Sequence, residues 1–362
     1  MDCGMTTVLS SLPDNAVQIP SICHGQHMTD HPLVSLVVPV YNGERFIGRT
    51  LASALAQTYD PLEIVVIDDG STDSTPNLIE AASARDKRIR SFRTQNSGVA
   101  AARDLGIKQA RGKLIAFLDS DDLWHPEKIA RQVEVMNKSS PNVGLIYCLA
   151  IGIDENDLIF SSFRTPRANR AYQGRVTEQI AVRCFIETPS LVLVKRECLE
   201  AVAGYETELQ LQGGEDWPMY FALSEVCEFA LLPEYLVGYR HAAGSLSMDV
   251  NRMAESIDCV IRWLTERWPN LPEDLKKQRV YEKDIYLARR ALDNNQFGKA
   301  FYYRANAYKT HPARLLHISN FMFALRYIFR LTGLTRANLR LRGWTFERPI
   351  YFQEAMESIK RN

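Results

Sequence analysis

Between residues 32 and 148, short apolar runs alternate with helix-length stretches, and this rhythm restricts the fold more than any other feature of the chain. An apolar, β-branched run over 34–38 is stopped by Pro39, and a helical stretch opened by Gly43 and Glu44 continues to about Gln57. Strands over 63–67 and 89–92 flank a helix ending near Ala84; a helix over 97–110 leads into a strand over 113–118. Pro126 suits the first turn of a further helix to about Asn137, because proline's missing N–H has no partner there anyway. Runs that are apolar throughout indicate strands covered on both faces. Their alternation with helices predicts an α/β fold: a doubly wound, mostly parallel sheet with right-handed crossovers.

After residue 145 the pattern becomes mixed, with strands expected over 145–153 and 190–194 and a short helix over 195–203. Beyond residue 250 it is helical, including a hairpin over 280–310 that bends near Asn294, Asn295 and Gly298. The expected organisation is a flexible tail (1–31), an α/β domain (32–248) and a helical extension (249–362). No unit repeats three times, which excludes a solenoid. With 43 basic and 43 acidic residues, overall charge gives no reason to expect a nucleic-acid partner. Seven scattered cysteines without a Cys-x-x-Cys pair point to reduced thiols and a cytoplasmic setting. The first thirty residues carry no charged-then-apolar leader, so a secretory signal is not expected. Cys23, His24 and His27 have a spacing a metal can use, but no second ligand pair follows, so they read as surface residues.

The strand over 113–118 delivers three carboxylates, Asp119, Asp121 and Asp122, at its carboxyl end. Open α/β sheets bind ligands just beyond that end of their strands. Acids so close repel unless a cation joins them, and oxygen donors suit a hard ion such as Mg²⁺ or Mn²⁺. Neither Gly-x-Gly-x-x-Gly after the first strand nor Gly-x-x-x-x-Gly-Lys-Ser/Thr occurs, so no glycine loop cradles phosphate. A metal held by the acids would have to neutralise it instead. Two other readings compete: acids capping a helix, and the Asp-x-Asp nucleophile of haloacid dehalogenase-type phosphatases. The latter expects Thr or Val where Leu123 stands.

Four motifs in order sharpen the choice: Val38-Pro39-Val40-Tyr41-Asn42; Ile67-Asp68-Asp69-Gly70-Ser71-Thr72-Asp73; Asn96-Ser97-Gly98 with Ala102-Arg103; and Asp119-Ser120-Asp121-Asp122. Together they resemble the signature of family 2 glycosyltransferases over residues 32–245. The resemblance implies a GT-A fold, with a Rossmann-like nucleotide half and a mixed acceptor half. It also implies a nucleotide-diphosphate sugar donor, Mn²⁺ or Mg²⁺, and inversion at the anomeric carbon. Carried over residue by residue, Pro39, Val40 and Tyr41 would border the nucleobase. Asp69 would accept a hydrogen bond from a uracil-type imide, pointing to a UDP-sugar, and Arg103 would lie near the base or phosphates. Asn42, Asn96, Asp119, Ser120 and Asp121 complete the donor contacts that the resemblance implies, with Asp121 and Asp122 at the metal. Relatives usually carry Asn where this chain has Asp104, which leaves that residue without an assigned role.

A second constellation is Gln212-Gly213-Gly214-Glu215-Asp216-Trp217. By the same resemblance Asp216 is the general base, with Glu215 orienting it or touching the acceptor; the bland reading is that both cap a helix starting at Trp217-Pro218. An acceptor hydroxyl is a poor nucleophile until a base takes its proton. Thr188-Pro189-Ser190 and Gly204-Tyr205-Glu206 would shape the acceptor side. The run from Tyr239 to Ser247 resembles a loop closing over the diphosphate, with His241 as a metal or phosphate contact, Arg240 as a phosphate contact, or both as plain surface residues. Residues 311–362 hold nine basic residues against three acids, and Arg326 and Arg330 interrupt the apolar run 315–331. That pattern argues against a transmembrane span and fits either a packed helix or peripheral contact with an anionic membrane. The function expected is sugar transfer to a glycan or lipid-linked acceptor, as in polysaccharide biosynthesis. The alternative is a non-catalytic nucleotide-sugar or glycan-binding module on the same fold.

Overall fold

The computed structural model describes residues 31–162, 172–205, 207–209, 211, 213–241 and 249–316. The Cys23/His24/His27 group, Glu206, Gln212, residues 242–247 of the expected phosphate loop, and the arginines at 326 and 330 lie outside these residues. Strands β1 (Val34–Val40), β2 (Leu62–Asp68), β3 (Ile89–Arg93) and β4 (Leu114–Phe117) form a wholly parallel half, in the order β3-β2-β1-β4. Every residue of β1, β2 and β4 is buried, as expected of strands sandwiched between helices.

The direction of the sheet changes at β4. Strand β8 (Val192–Lys195) pairs antiparallel with β4 and with β6 (Val143–Ile153), and β6 runs parallel to β9 (Glu228–Arg240). Strand β7 (Ile159–Ser162) adds to β6. The two-residue β5 (Leu123–Trp124) pairs with Gly238 and Val237 of β9. The acidic segment between β4 and β5 therefore crosses from the parallel half to the mixed half, over the point where strand direction reverses. That is where a doubly wound sheet opens a crevice.

Helices α1 (Ile47–Leu55), α2 (Thr75–Arg85), α3 (Val99–Gln109) and α4 (Lys128–Lys138) follow the predicted alternation, α6 (Arg196–Ala201) fits the short helix expected over 195–203, and α5 (Thr177–Val182) and α7 (Asp216–Val226) complete the mixed half. Helix α1 starts later than Gly43 because the N–H groups of Asn42, Gly43 and Glu44 are taken by the side chains of Ser71, Thr75 and Asp73. The helical region comprises α8 (Val250–Arg267), capped by Asp249, then α9 (Glu273–Asp293) and α10 (Phe297–Thr310). The α9–α10 bend falls at Asn294 and Asn295, the latter at φ 58°, whereas Gly298 lies inside α10. One continuous apolar cluster joins β1, β4, β6, β8 and α7 to Val260, Leu264, Leu287 and Ala291 of α8 and α9. Among the described residues no helix is long and apolar enough to cross a membrane.

Candidate active site

At the carboxyl ends of β1 and β2, two loops lock together. Asn42, at φ 49°, takes the N–H of Thr72 on its side-chain oxygen at 2.8 Å, while its own N–H donates to Ser71 at 2.9 Å. Pro39 and Val40 are buried in β1, so of the three residues expected to border the nucleobase Tyr41, 49% exposed, is the one left open to a ligand. Asp69 is buried, and its two oxygens accept the N–H groups of Ser97 and Gly98, each at 2.9 Å. Its first structural duty is therefore to pin the entry of α3; each oxygen keeps a second lone pair for a base. Burial raises the Asp69 carboxyl above its ordinary range against these two bonds, and the charge of Asp68 adds to the rise. Asn96 is exposed beside this turn.

The acidic segment is fixed by its last member. Asp122 is fully buried; Ser190 donates its hydroxyl to it at 2.6 Å, Thr188 at 3.3 Å, and the Arg240 N–H at 2.9 Å. Thr50 holds the carbonyls of Ser120 and Asp122 at 2.8 and 2.9 Å, and the Trp124 indole donates to the Ser190 carbonyl. Expected beside a metal, Asp122 is instead an anchor whose oxygens are occupied by protein donors. Arg240, read as a phosphate contact or a plain surface residue, is not on the surface. It is buried, bonds the Asp121 carbonyl at 2.6 Å, pairs with Asp157 and lies over the Phe46 ring.

Arg103 joins the two halves of the site. Gly106, one turn further along α3, lies so close to β1 that a Cβ there would meet Val37 Cγ1 at 2.2 Å. That close packing carries Arg103 under the sheet's carboxyl edge, where the side chain is 3% exposed. One Nη donates to Asp119 at 2.7 Å; the other donates to Glu215 at 2.5 Å and Asp216 at 2.9 Å. The Tyr205 ring lies 5.5 Å from the guanidinium carbon, and its hydroxyl reaches Asp216 at 3.4 Å. Asp216 opens α7, yet neither it nor Glu215 makes a side-chain cap bond there, so the capping reading is not what the structure contains.

One arginine cannot neutralise three carboxylates, so it does not cancel the effect of burial there. Burial raises the Asp216 carboxyl well above its usual range; Arg103 opposes the rise, and Glu215 and Asp119 add to it. Asp121, half-buried, is pushed up to about 6 by burial and then by the charge of Asp119. No side chain of a described residue hydrogen-bonds the Asp121 carboxylate, although its main-chain carbonyl is held by Arg240. Among the described residues no group of three His, Cys, Asp or Glu side chains could hold a metal. The donor set still suits a hard ion that keeps several waters and takes one or two carboxylates plus substrate phosphates. Asp121, with Asp119 beside it, would supply those carboxylates.

Several supports are hidden in the sequence. Thr188 donates to Asp119 at 3.0 Å and Ser190 receives the Asp119 N–H, so the segment expected on the acceptor side grips the acidic loop. Asp104 accepts the N–H of Tyr205 at 3.0 Å, and a Cβ on Gly204 would strike it at 2.2 Å. The residue that departs from the family pattern therefore seats Tyr205. His241 packs edge-on against Tyr239 at 5.1 Å, and burial, then Arg290, hold its imidazole down to about 4. Thr188, Ser190 and Tyr205 fall in segments expected to shape the acceptor side, but their grip on the acidic loop and on Asp216 is not legible in the sequence; nothing local marks Thr50 at all, because its partners Ser120 and Asp122 are distant in sequence.

The family model described as Glycosyl transferase family 2 matches residues 35–202. The chain is 30% identical to an uncharacterised glycosyltransferase of Rickettsia prowazekii over 233 residues, covering 63% of this chain and 70% of that one. It is 42% identical to one from Rickettsia bellii over 119 residues, 33% of this chain but only 17% of the relative's length. A solved mannosyltransferase from Pyrobaculum calidifontis, in complex with GDP-mannose and Mn²⁺, superposes with a TM-score of 0.54. At 18% identity, covering 86% of this chain and 88% of that one, this likeness concerns the fold, which is GT-A.

Proposed function

This chain belongs to glycosyl transferase family 2, and from that premise we propose that it transfers a sugar, with inversion, from a nucleotide-diphosphate donor to an acceptor hydroxyl. The observation that carries the proposal is the bridge through Arg103, which ties Asp119 on the donor side to Glu215 and Asp216 on the acceptor side. A binding module has no use for an under-neutralised carboxylate at that junction, whereas a general base does.

In this reading Tyr41 offers a face to the nucleobase, and Asp69 takes its imide N–H, which favours a UDP-sugar. Asp216 accepts the acceptor's proton as the hydroxyl oxygen bonds to the anomeric carbon on the face opposite the diphosphate. The bond from that carbon to the diphosphate oxygen breaks, and the leaving group departs with the electron pair. A single in-line displacement inverts the centre, so one base suffices. Glu215 and Asp119 hold Arg103, and Arg103 in turn fixes where Asp216 points. Asp121 and Asp119 would hold the divalent ion, whose positive charge, when bound, offsets that of the diphosphate. Asp122 keeps their loop in place. The acceptor we favour is a glycan or lipid-linked saccharide, reached from the cytoplasmic face of a membrane and used in polysaccharide assembly. The α/β domain (32–248) would carry the chemistry and the helical extension would carry any peripheral membrane contact.

The test is sugar release and transfer from a panel of UDP- and GDP-sugars with Mn²⁺, run beside Asp216→Asn. Metal-dependent turnover by the wild type, absent in a folded Asp216→Asn protein, is expected. Equal turnover by both proteins would remove Asp216 from the role of base, and donor binding without transfer to any acceptor would favour the binding module.

A further inference from the structure

Behind the donor-side acids lies a cation that their chemistry does not use. Lys128, the first residue of α4, is fully buried, and no acid among the described residues is paired with it. Its Nζ donates to Gln132 Oε1 at 2.7 Å and lies 3.9 Å from the centre of the Trp124 ring. Burial holds the ammonium down to about 8, against a smaller opposing effect of the Cys148 thiol, so at neutral pH it is still charged. A buried charge without a partner of opposite sign is costly, and the positive end of a helix dipole adds to the cost.

Both contacts of the ammonium lead to one short turn, Pro189–Leu191. The Trp124 indole N–H donates to the Ser190 carbonyl at 2.9 Å. An ammonium has donors only, so it fixes the Gln132 amide with its oxygen toward Lys128. The amide nitrogen then donates to the Leu191 carbonyl at 2.8 Å and to the Ile146 carbonyl at 3.3 Å. On its other side the same turn grips the acidic segment: the Ser190 hydroxyl donates to Asp122 at 2.6 Å and receives the Asp119 N–H at 3.0 Å. Thr188, which caps the turn, donates to Asp119 at 3.0 Å. A methionine would fill much the same volume without burying a charge, so packing alone gives no reason for a cation there.

We propose that Lys128 is a positioning residue of the donor side: through Trp124 and Gln132 its ammonium holds the Pro189–Leu191 turn, and the turn sets the acidic segment that meets a nucleoside diphosphate and its divalent ion. The inference rests on the donor reading above for what the acids meet, and the binding measurement does not depend on turnover.

Calorimetric titration of the full chain with UDP and GDP in the presence of Mn²⁺, and with uridine and guanosine alone, tests it beside a melting curve without metal. Lys128→Met should weaken whichever diphosphate the wild type binds better by roughly tenfold, on the order of one hydrogen bond to a charged group. The matching nucleoside reaches only the side of Tyr41 and Asp69, so its affinity should stay at the wild-type value. The melting temperature should not fall, because an apolar chain of similar volume replaces a buried charge. A residue that merely packs the fold would lose stability and both affinities together. Unchanged diphosphate affinity in Lys128→Met, a lower melting temperature, or an equal loss for nucleoside and diphosphate each overturns the proposal. No binding of either diphosphate by the wild type overturns it together with the donor reading. A wild type that binds the diphosphate but transfers no sugar, with the selective loss in Lys128→Met intact, would overturn only the function proposed above.

Discussion

Two buried carboxylate systems sit at opposite ends of the same parallel strands. At the amino end, Glu63 accepts Ser35 and the Arg111 N–H, each at 2.6 Å, and Arg90 at 3.0 Å. Burial alone would raise its carboxyl; these donors together hold it below the ordinary range. At the carboxyl end, Asp119, Glu215 and Asp216 share Arg103, and Asp216 is raised. The first system is one acid amply supplied with donors, the second three acids around one cation. Donor count, rather than burial, separates a carboxylate that holds the sheet together from one poised to take a proton.

The largest effects should fall on the under-supplied end. Asp216→Asn is expected to lower kcat by about 10²–10⁴-fold, the usual worth of a positioned base, with the melting temperature nearly unchanged. Retained activity in that variant would break the contrast outright. Arg103→Met leaves one buried and two half-buried acids without their buried cation and should destabilise by about 3–5 kcal/mol, read from denaturant unfolding. Arg103→Lys keeps the charge but cannot reach all three acids. It should fold and lose roughly 10²-fold in kcat through misplacement of the base. If Lys served as well as Arg, geometry at this junction would not matter.

How much of this was legible in the sequence divides along the same line. The parallel half could be read strand by strand because β1, β2 and β4 are apolar throughout, and alternation then dictated topology. Asp119, Asp121, Asp122 and Asp216 stood out because acids after apolar runs or glycines are conspicuous. What each acid does was not legible. Asp121 and Asp122 are adjacent in the chain, yet Asp121 is left half-open while Asp122 is sealed by Ser190 and Arg240. That difference arises where β8 and β9 pack, and no local pattern encodes it. Arg103 was placed near base or phosphate because a motif names a position, not a direction; the close approach of Gly106 to Val37 decides the direction. The strand directions of the mixed half were also illegible, since β8 runs antiparallel between β4 and β6 only through long-range pairing.

At the well-supplied end a smaller and different response is expected. Glu63→Gln should lower stability by about 1–3 kcal/mol while kcat stays at the wild-type value. The sign with pH follows from the depressed carboxyl. Its contribution is complete above the pKa of the unfolded chain and is lost as pH falls through the folded value. The gap in melting temperature between wild type and Glu63→Gln should therefore close in acid. The raised carboxyls of the other end act in the opposite sense: the folded form holds their protons longer, so their contribution declines as pH rises through the folded values.

Activity should then fail before the fold does. The base works only when ionised, so kcat/KM should rise with pH through an acidic limb above the ordinary carboxylate value of about 4, a limb belonging to the coupled acids rather than to Asp216 alone. Acid loss of the Glu63 contribution lies below that value, and a pH series of kcat/KM beside one of melting temperature should resolve two limbs. Coincident limbs would mean that the two ends of the sheet titrate alike. The smallest effect belongs to Tyr205, whose hydroxyl reaches Asp216 at 3.4 Å. A donor of this kind favours the ionised carboxylate, and its removal in Tyr205→Phe should move the acidic limb of kcat/KM upward by less than about one pH unit. The limb of stability should not move, because Glu63 makes no contact with that ring.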